Sequence, residues 1–277
     1  MISNHGRMVI VMIGTHVTVT VDRPLGSAHP ICSELRYPVN YGYIKGIFGG
    51  DGEEQDAYIL GVDTPLETFS GMVIAVICRG DDVENKWVVV PDGMYFTTKE
   101  IRKMVEFQEQ YFSSVIRTIR PARPNELSTI QTIYAAARRF MAANGNPHQW
   151  GDHYPSDDLL SQDMAAQQLY VEEIDGELSG AFVLALGDDP TYAYIEDGAW
   201  LSDTAYGTIH RIASNGIAPG LFNRCVSFCE SKIPHLRVDT HHDNAVMQHL
   251  ALKAGFQRCG IIYLANGSPR IAYEKLL

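Results

Sequence analysis

The pattern of the chain changes abruptly at TIRPARPNE (118–126), and this change constrains the architecture more than any other feature. Before it, HVTVTVD (16–22) alternates apolar or β-branched residues with polar ones, the period-2 signature of a half-buried strand. DAYILGV (56–62), GMVIAVIC (71–78) and KWVVVP (86–91) read as further strands set off by Gly, Asp and Pro turns. One helical stretch follows, Thr97–Ile116. It has Thr97 or Thr98 as N-cap and apolar residues at Ile101, Met104, Val105, Phe107, Tyr111, Phe112 and Val115. Short strands closed by one helix predict a small β-barrel with a helix packed across it.

After the break the elements alternate in type. A short strand with Pro121 and Pro124 leads into an amphipathic helix, Glu126–Ala143, and a loop rich in His, Trp and Pro (145–157). Strands are expected at LYVEEID (169–175), GAFVLALG (180–187), TYAYIED (191–197) and TIHRIAS (208–214), and a helix over Gly220–Lys232. LRVDTH (236–241), a helix over Ala245–Ala254, CGIIYL (259–264) and RIAYEKL (270–276) complete an α+β region with a central mixed sheet. At 277 residues the chain has room for two domains. The expected limits are 8–116 and 117–277, with Met8 or Met12 as alternative starts because the patterned sequence begins there. No small-residue cleavage site follows the first apolar stretch, so no signal peptide is expected.

Twenty-two Lys and Arg stand against 33 Asp and Glu, a net charge of −11, and neither half carries a basic run. This disfavours nucleic acid and anionic lipid as partners. No apolar run approaches the roughly 20 residues of a bilayer span. Five cysteines without a C-x-x-C pair point to reduced thiols and a cytoplasmic location. Cys225 and Cys229, four apart, are expected to share a buried helix face.

In the first half, acidic residues crowd two turns. Asp51, Glu53 and Asp56 lie in DGEEQD (51–56), and Asp81, Asp82 and Glu84 in DDVENK (81–86). Hard oxygen ligands of this kind suit Mg²⁺ and phosphate chemistry, although acidic turns are more often simply solvated. With YPVNYGYI (37–44), these segments resemble, in order and spacing, the hallmark segments of soluble inorganic pyrophosphatases. The resemblance covers about residues 12–116 and implies a five-stranded OB-type barrel. It further implies those six carboxylates as metal ligands, and Tyr41, Lys86 and Tyr111 as phosphate contacts. Glu53 and Glu84 stand where that family has aspartates, and Phe112 where it has a lysine.

In the second half, a strand runs into a loop with Gly216 and Gly220 and then a helix (208–229). Main-chain amides at such a helix start form an anion site. Together with LRVDTH, DN-x-x-M (243–247) and K-A-G-F (253–256), this run resembles the GNAT superfamily of N-acetyltransferases across 117–277. The resemblance implies acetyl-CoA as cofactor, with its diphosphate on that loop and direct transfer to a small-molecule or peptide amine. Ile212, Ala213, Ser214, Ile217, Ala218, Gly220, Leu221, Phe222 and Asn244 are the implied cofactor contacts. The family's phosphate loop aligns in two registers, from Ala213 or from Ile217; the second is preferred because Gly220 then opens the helix.

Glu196, His210, Asp239 and His241 are the candidates for the base, with Glu196 ranked first. Ala251 stands where the family often has a tyrosine acid, which leaves Tyr263 as a substitute. Asp239, His241 and Asp243 are ligand-type residues in a setting that favours hydrogen bonding. Trp150, Trp200 and Tyr206, with Tyr154, are expected to wall an acceptor pocket. The expected function is thus a bacterial-type N-acetyltransferase fused to a pyrophosphatase-like domain. Two alternatives remain: a Mg²⁺-dependent pyrophosphatase with an accessory acetyltransferase-like domain, and a non-catalytic ligand-binding protein.

Overall fold

The computed structural model describes residues 13–29 and 34–277, so Met8, Met12 and Cys32 lie outside it. The chain forms two compact units. One holds the residues up to Arg120 and the segment Glu172–Glu177; the other holds Pro121–Val171 and Leu178–Leu277.

The first unit is a closed five-stranded barrel of β1 (His16–Arg23), β2 (Asn40–Phe48), β3 (Glu54–Ile59), β4 (Thr68–Arg79) and β5 (Lys86–Val90). The order is β1-β2-β3-β5-β4, and β4 returns to pair with β1, Val17 opposite Gly71 and Val19 opposite Phe69. Only β3 and β5 run parallel among these pairs. Closure leaves no free sheet edge. The interior is filled by Tyr58, Leu60, Ile74, Ile77, Val88 and Val90.

Helix α1 (Thr98–Glu109) starts at a capping box, in which Thr97 and Glu100 satisfy each other's backbone amides. It buries Ile101 and Val105 into the barrel core. The expected helix to Ile116 stops short at Glu109, because Ser114–Pro121 forms β6 and pairs with β4, Ile116 opposite Ile77. Val115, Ile116, Thr118 and Ile119 are β-branched, and their fit to a pleated surface overrides the helical spacing. β2, carrying most of YPVNYGYI, had no sequence-based strand assignment; its interior glycine, Gly42, lies 2.0 Å from Thr20 O at the position a Cβ would take.

After β6 the strand order is β7 (Leu169–Ile174), β8 (Glu177–Leu186), β9 (Gly207–Ser214), β10 (His235–Thr240), β12 (Pro269–Leu276) and β11 (Gln257–Tyr263). Of these the second unit holds all but Glu172–Ile174 of β7 and Glu177 of β8. β9 and β10 are parallel; the pairs β8–β9, β10–β12 and β11–β12 are antiparallel. The helices are α2 (Leu127–Ala143), α3 (Asp157–Ala165), α4 (Leu221–Glu230) and α5 (Ala245–Lys253). Ile130, Ile133 and Tyr134 of α2 pack with Leu160, Val183 and Ala213. Cys225 and Cys229 are both buried on α4.

The expected strand 191–197 is absent. Pro190–Tyr192 is a 3-10 turn that Asp189 caps by accepting from Thr191 N at 2.9 Å, and only Glu196 bridges to a strand, at Ile261. A proline preceded by a capping aspartate favours a turn over extended chain. Among the described residues no helix is long and apolar enough to cross a membrane.

Candidate functional site

β9 and β10 pair only over Gly207–Ile209 and Leu236–Val238, although both strands run further, to Ser214 and Thr240. Beyond Ile209 they part, and a cleft of about 1320 Å³ opens there, lined by both strands, by the loop Asn215–Gly220 and by the first turn of α4. A β-bulge accompanies the divergence. Ala181 pairs with Ala213 and Val183 with His210, so Arg211 and Ile212 together face one residue of β8. Arg211 takes φ 51, a left-handed value uncommon outside glycine. It is held there by bonds from both ends: Tyr134 Oη donates to its carbonyl at 2.8 Å, and its guanidinium reaches Asp163 Oδ1 at 2.8 Å and Tyr154 Oη at 3.2 Å.

The loop delivers α4 in an unusual way. Gly220, at φ 84, is the N-cap residue, and having no side chain it leaves the helix start without a side-chain cap. The amides of the first turn, Leu221 to Asn223, thus carry the positive end of the helix dipole with no internal partner, beside the cleft these residues line. Phe222 is 5% exposed and tilts against Phe256 with ring centroids 6.4 Å apart.

Besides Arg211, the groups His210, Asp189, Asp239 and Arg270 line the same cleft. His210 Nε2 meets Asp189 Oδ2 at 3.0 Å. Burial pushes the Asp189 carboxyl up, but hydrogen bonds from His210 and Thr191 outweigh it and bring it down to about 2. Asp189 is therefore an acceptor only, so His210 Nε2 donates to it. Asp239 accepts from Tyr192 Oη at 2.9 Å, and burial raises its carboxyl above the ordinary range. Arg270 approaches Asp239 Oδ1 at 3.8 Å.

No family model matches the chain, and no curated protein matches it. Among solved structures, a GNAT-family acetyltransferase from Streptococcus agalactiae is 33% identical with a TM-score of 0.54; the match covers 58% of this chain and 95% of that one. The chain belongs to the GNAT acetyltransferase family. The structure of yncA from Salmonella typhimurium, solved with its cofactor acetyl-CoA, is 16% identical over 58% of this chain and 94% of that one, with a TM-score of 0.38. An inorganic pyrophosphatase from Neisseria gonorrhoeae is 22% identical over 35% of this chain and 74% of its own, with a TM-score of 0.30.

Within this GNAT chain the cleft gathers His210, Ile212, Ala213, Ser214, Ala218, Gly220, Leu221, Phe222, Asn244 and Trp150. Asn244 is already engaged: its oxygen caps α5 at Met247 N (3.1 Å) and its amide donates to Gln149 Oε1 (3.0 Å). Ile217 is exposed and does not line the cleft.

Two expected catalytic residues are elsewhere. Tyr263 donates to Glu196 on the exposed surface, and neither lines the cleft, because the 3-10 turn at Pro190 replaces the strand that was to carry Glu196 there. Trp200 stacks on Tyr192 with planes 8° apart, and Tyr206 is buried against Tyr192 and His235, so both are packing residues outside the cleft lining. Asp189 and Arg270 were not singled out in the sequence. The pairing of Asp189 with His210 spans 21 residues, and Arg270 carries no motif.

Among the described residues the barrel carboxylates are not gathered at metal-ligand spacing. Lys86, 3% exposed, places its ammonium 2.6 Å from Asp56 Oδ2 and also against Glu84, and Tyr41 donates to Asp56. A resident cation therefore stands among the oxygens a metal would take. Asp82 pairs with Arg79 at 3.1 Å, Asp81 accepts from Ser113 N at 2.9 Å, and Asp51 accepts from Glu53 N at 3.0 Å. Lys86 and Tyr41 are correspondingly committed inward rather than to a phosphate. Tyr111, 71% exposed, makes no hydrogen bond to this cluster among the described residues. Among the described residues the one group with metal-ligand spacing is His241, His242 and Asp243, whose atoms are hydrogen-bonded to each other.

Proposed function

We propose that this protein moves an acetyl group from acetyl-CoA to an amine in the cleft between β9 and β10. We take residues 117–277 as the transferase domain and 8–116 as a pyrophosphatase-like barrel fused to it. The observation that carries the reading is the uncapped start of α4 at the edge of a 1320 Å³ cleft that also holds the Asp189–His210 pair.

The residues present fit the cofactor. The first-turn amides of α4 and the glycine loop suit its diphosphate, and Ile212–Ser214 suit its pantetheine arm. At Gly216 a Cβ would meet nothing within 4 Å, and Phe222 is turned toward Phe256, which leaves the cleft open. When bound, acetyl-CoA supplies an acetyl group activated as a thioester.

The chain's part is to hold that carbonyl near a neutral amine. His210 Nδ1 takes a proton from the acceptor's ammonium before attack, and Asp189 orients the imidazole by accepting from Nε2. The C–N bond then forms as the thioester C–S bond breaks, and the second amine proton leaves with the coenzyme thiol. The imidazolium then faces an ionised carboxylate, which stabilises it. Calorimetry with acetyl-CoA and a thiol-release assay on a panel of amines test this. Binding with thiol release that depends on both amine and His210 supports it; absence of acetyl-CoA binding by the folded protein overturns it.

A further inference from the structure

Resting on the transferase reading, we infer that the acceptor is an amino acid with a free carboxylate, and that Arg270 at the start of β12 is the group that receives it. Arg270 is 7% exposed and lines the cleft. Its one hydrogen bond among the described residues is Nη1 to the carbonyl of Pro269, at 2.9 Å. A guanidinium has five N–H donors in a fixed fork and stays charged when buried. The nearest carboxylate oxygen, Asp239 Oδ1, is 3.8 Å from Nε, beyond hydrogen-bonding distance. Asp239 is also a weak counter-ion: it accepts from Tyr192, and burial favours its protonated form.

The other cleft arginine makes the contrast. Arg211 is neutralised by Asp163 and further bonded to Tyr154. Arg211 keeps its Nε unpartnered but has a carboxylate within hydrogen-bonding distance, whereas Arg270 has none among the described residues, and a buried cation so poorly paired is stabilised by an incoming anion. A carboxylate satisfies the fork bidentately. His210, Asp239 and Arg270 line one cleft, and Asp239 stands 3.8 Å from the proposed anchor. An α-amino acid suits such a lining: its carboxylate on Arg270, and its ammonium toward Asp239 and His210. The rings of Trp150 and Tyr154, 6.1 Å apart, form an apolar wall for the side chain.

The test compares the twenty L-amino acids with their amides and with the decarboxylated amines, using the full-length protein and acetyl-CoA. An amino acid is expected to exceed its own amide in kcat/KM by about 10- to 100-fold, the range of one charged hydrogen-bonded contact. Arg270→Gln is expected to raise KM for the amino acid by a similar factor, with kcat changed less than about threefold and amide turnover unaltered. Arg270→Lys, which keeps the charge but loses the fork, should fall between. It serves as the readout should the glutamine variant fail to fold. Equal turnover of acid and amide, or an Arg270→Gln defect shared by all acceptors, overturns the inference while leaving the transferase intact. Failure of acetyl-CoA to bind overturns the transferase reading instead. In that case calorimetry of amino acid against amide still decides the anchor, and equal binding sinks it.

Discussion

The barrel cluster around Lys86 and the cleft around His210 contain the same kinds of groups put to opposite uses. In the barrel, one buried ammonium is enclosed by Asp56 and Glu84, and a tyrosine hydroxyl donates to the same Asp56 oxygen that the ammonium contacts. Every charge meets its opposite within the protein. In the cleft, Asp189 and His210 satisfy one face of each other, and His210 Nδ1 and the Arg270 fork are left toward a large space. A functional charge is distinguished by incomplete pairing beside a cavity, since burial and acidity are common to both regions.

The comparison breaks most readily at Lys86. Lys86→Met removes the buried cation between two part-buried carboxylates, and should cost about 1–3 kcal/mol of stability in urea denaturation. A loss under 1 kcal/mol would show that the carboxylates find water or a metal ion, and that the cluster is not self-contained. His210→Ala is the counterpart in the cleft. Asp189 is only part-buried there, so the variant should unfold near the wild-type midpoint while kcat falls about 10²- to 10³-fold. A variant that loses stability but keeps kcat would reverse the roles assigned to the two regions.

These two residues also mark what the sequence could and could not disclose. Alternation in HVTVTVD was enough for β1, and the continuous apolar run GMVIAVIC for β4, which is buried along Gly71–Ile77. Thr97 or Thr98 as N-cap likewise marked where α1 begins, and the structure chooses Thr97. Its end was hidden, since Val115 lies in helical register and only pairing with β4 decides for a strand. In the cleft, Gly220 and His210 were legible from the strand–loop–helix run. Glu196 was favoured over His210 because a strand was expected at 191–197, where Pro190 instead starts a 3-10 turn. The pairing Asp56–Lys86–Glu84 was illegible for a related reason. Residues in two acidic turns looked free to converge on a metal, and only the parallel pairing of β3 with β5 brings Lys86 between them.

A smaller effect sharpens the cleft side. Gly220→Ala forces a side chain into φ 84, which costs about 1–2 kcal/mol. The new Cβ would lie 3.1 Å from Arg224 Nη1, the end of a flexible side chain, so backbone strain is the larger cost. Because Gly220 sets the angle at which α4 presents its amides, KM for acetyl-CoA should rise several-fold while Lys86-dependent stability is untouched. An unchanged KM would separate the helix start from cofactor binding.

The smallest effect lies in the barrel and concerns pH. Burial lifts the Glu84 carboxyl, Lys86 pulls it back, Asp56 lifts it again, and the balance stands at about 7 against 4.5 for the free side chain. Between those values the folded protein binds more protons than the unfolded chain, so this group's contribution to stability falls as pH rises through the window. Glu84→Gln abolishes the titration. Wild type should therefore lose stability relative to the variant as pH is raised from about 5 to about 7.5, as read from the urea midpoints of both proteins. A constant difference would mean that Lys86 holds Glu84 ionised throughout. The cluster would remain closed to ligands in either case, because the ammonium is retained by whichever carboxylate is charged.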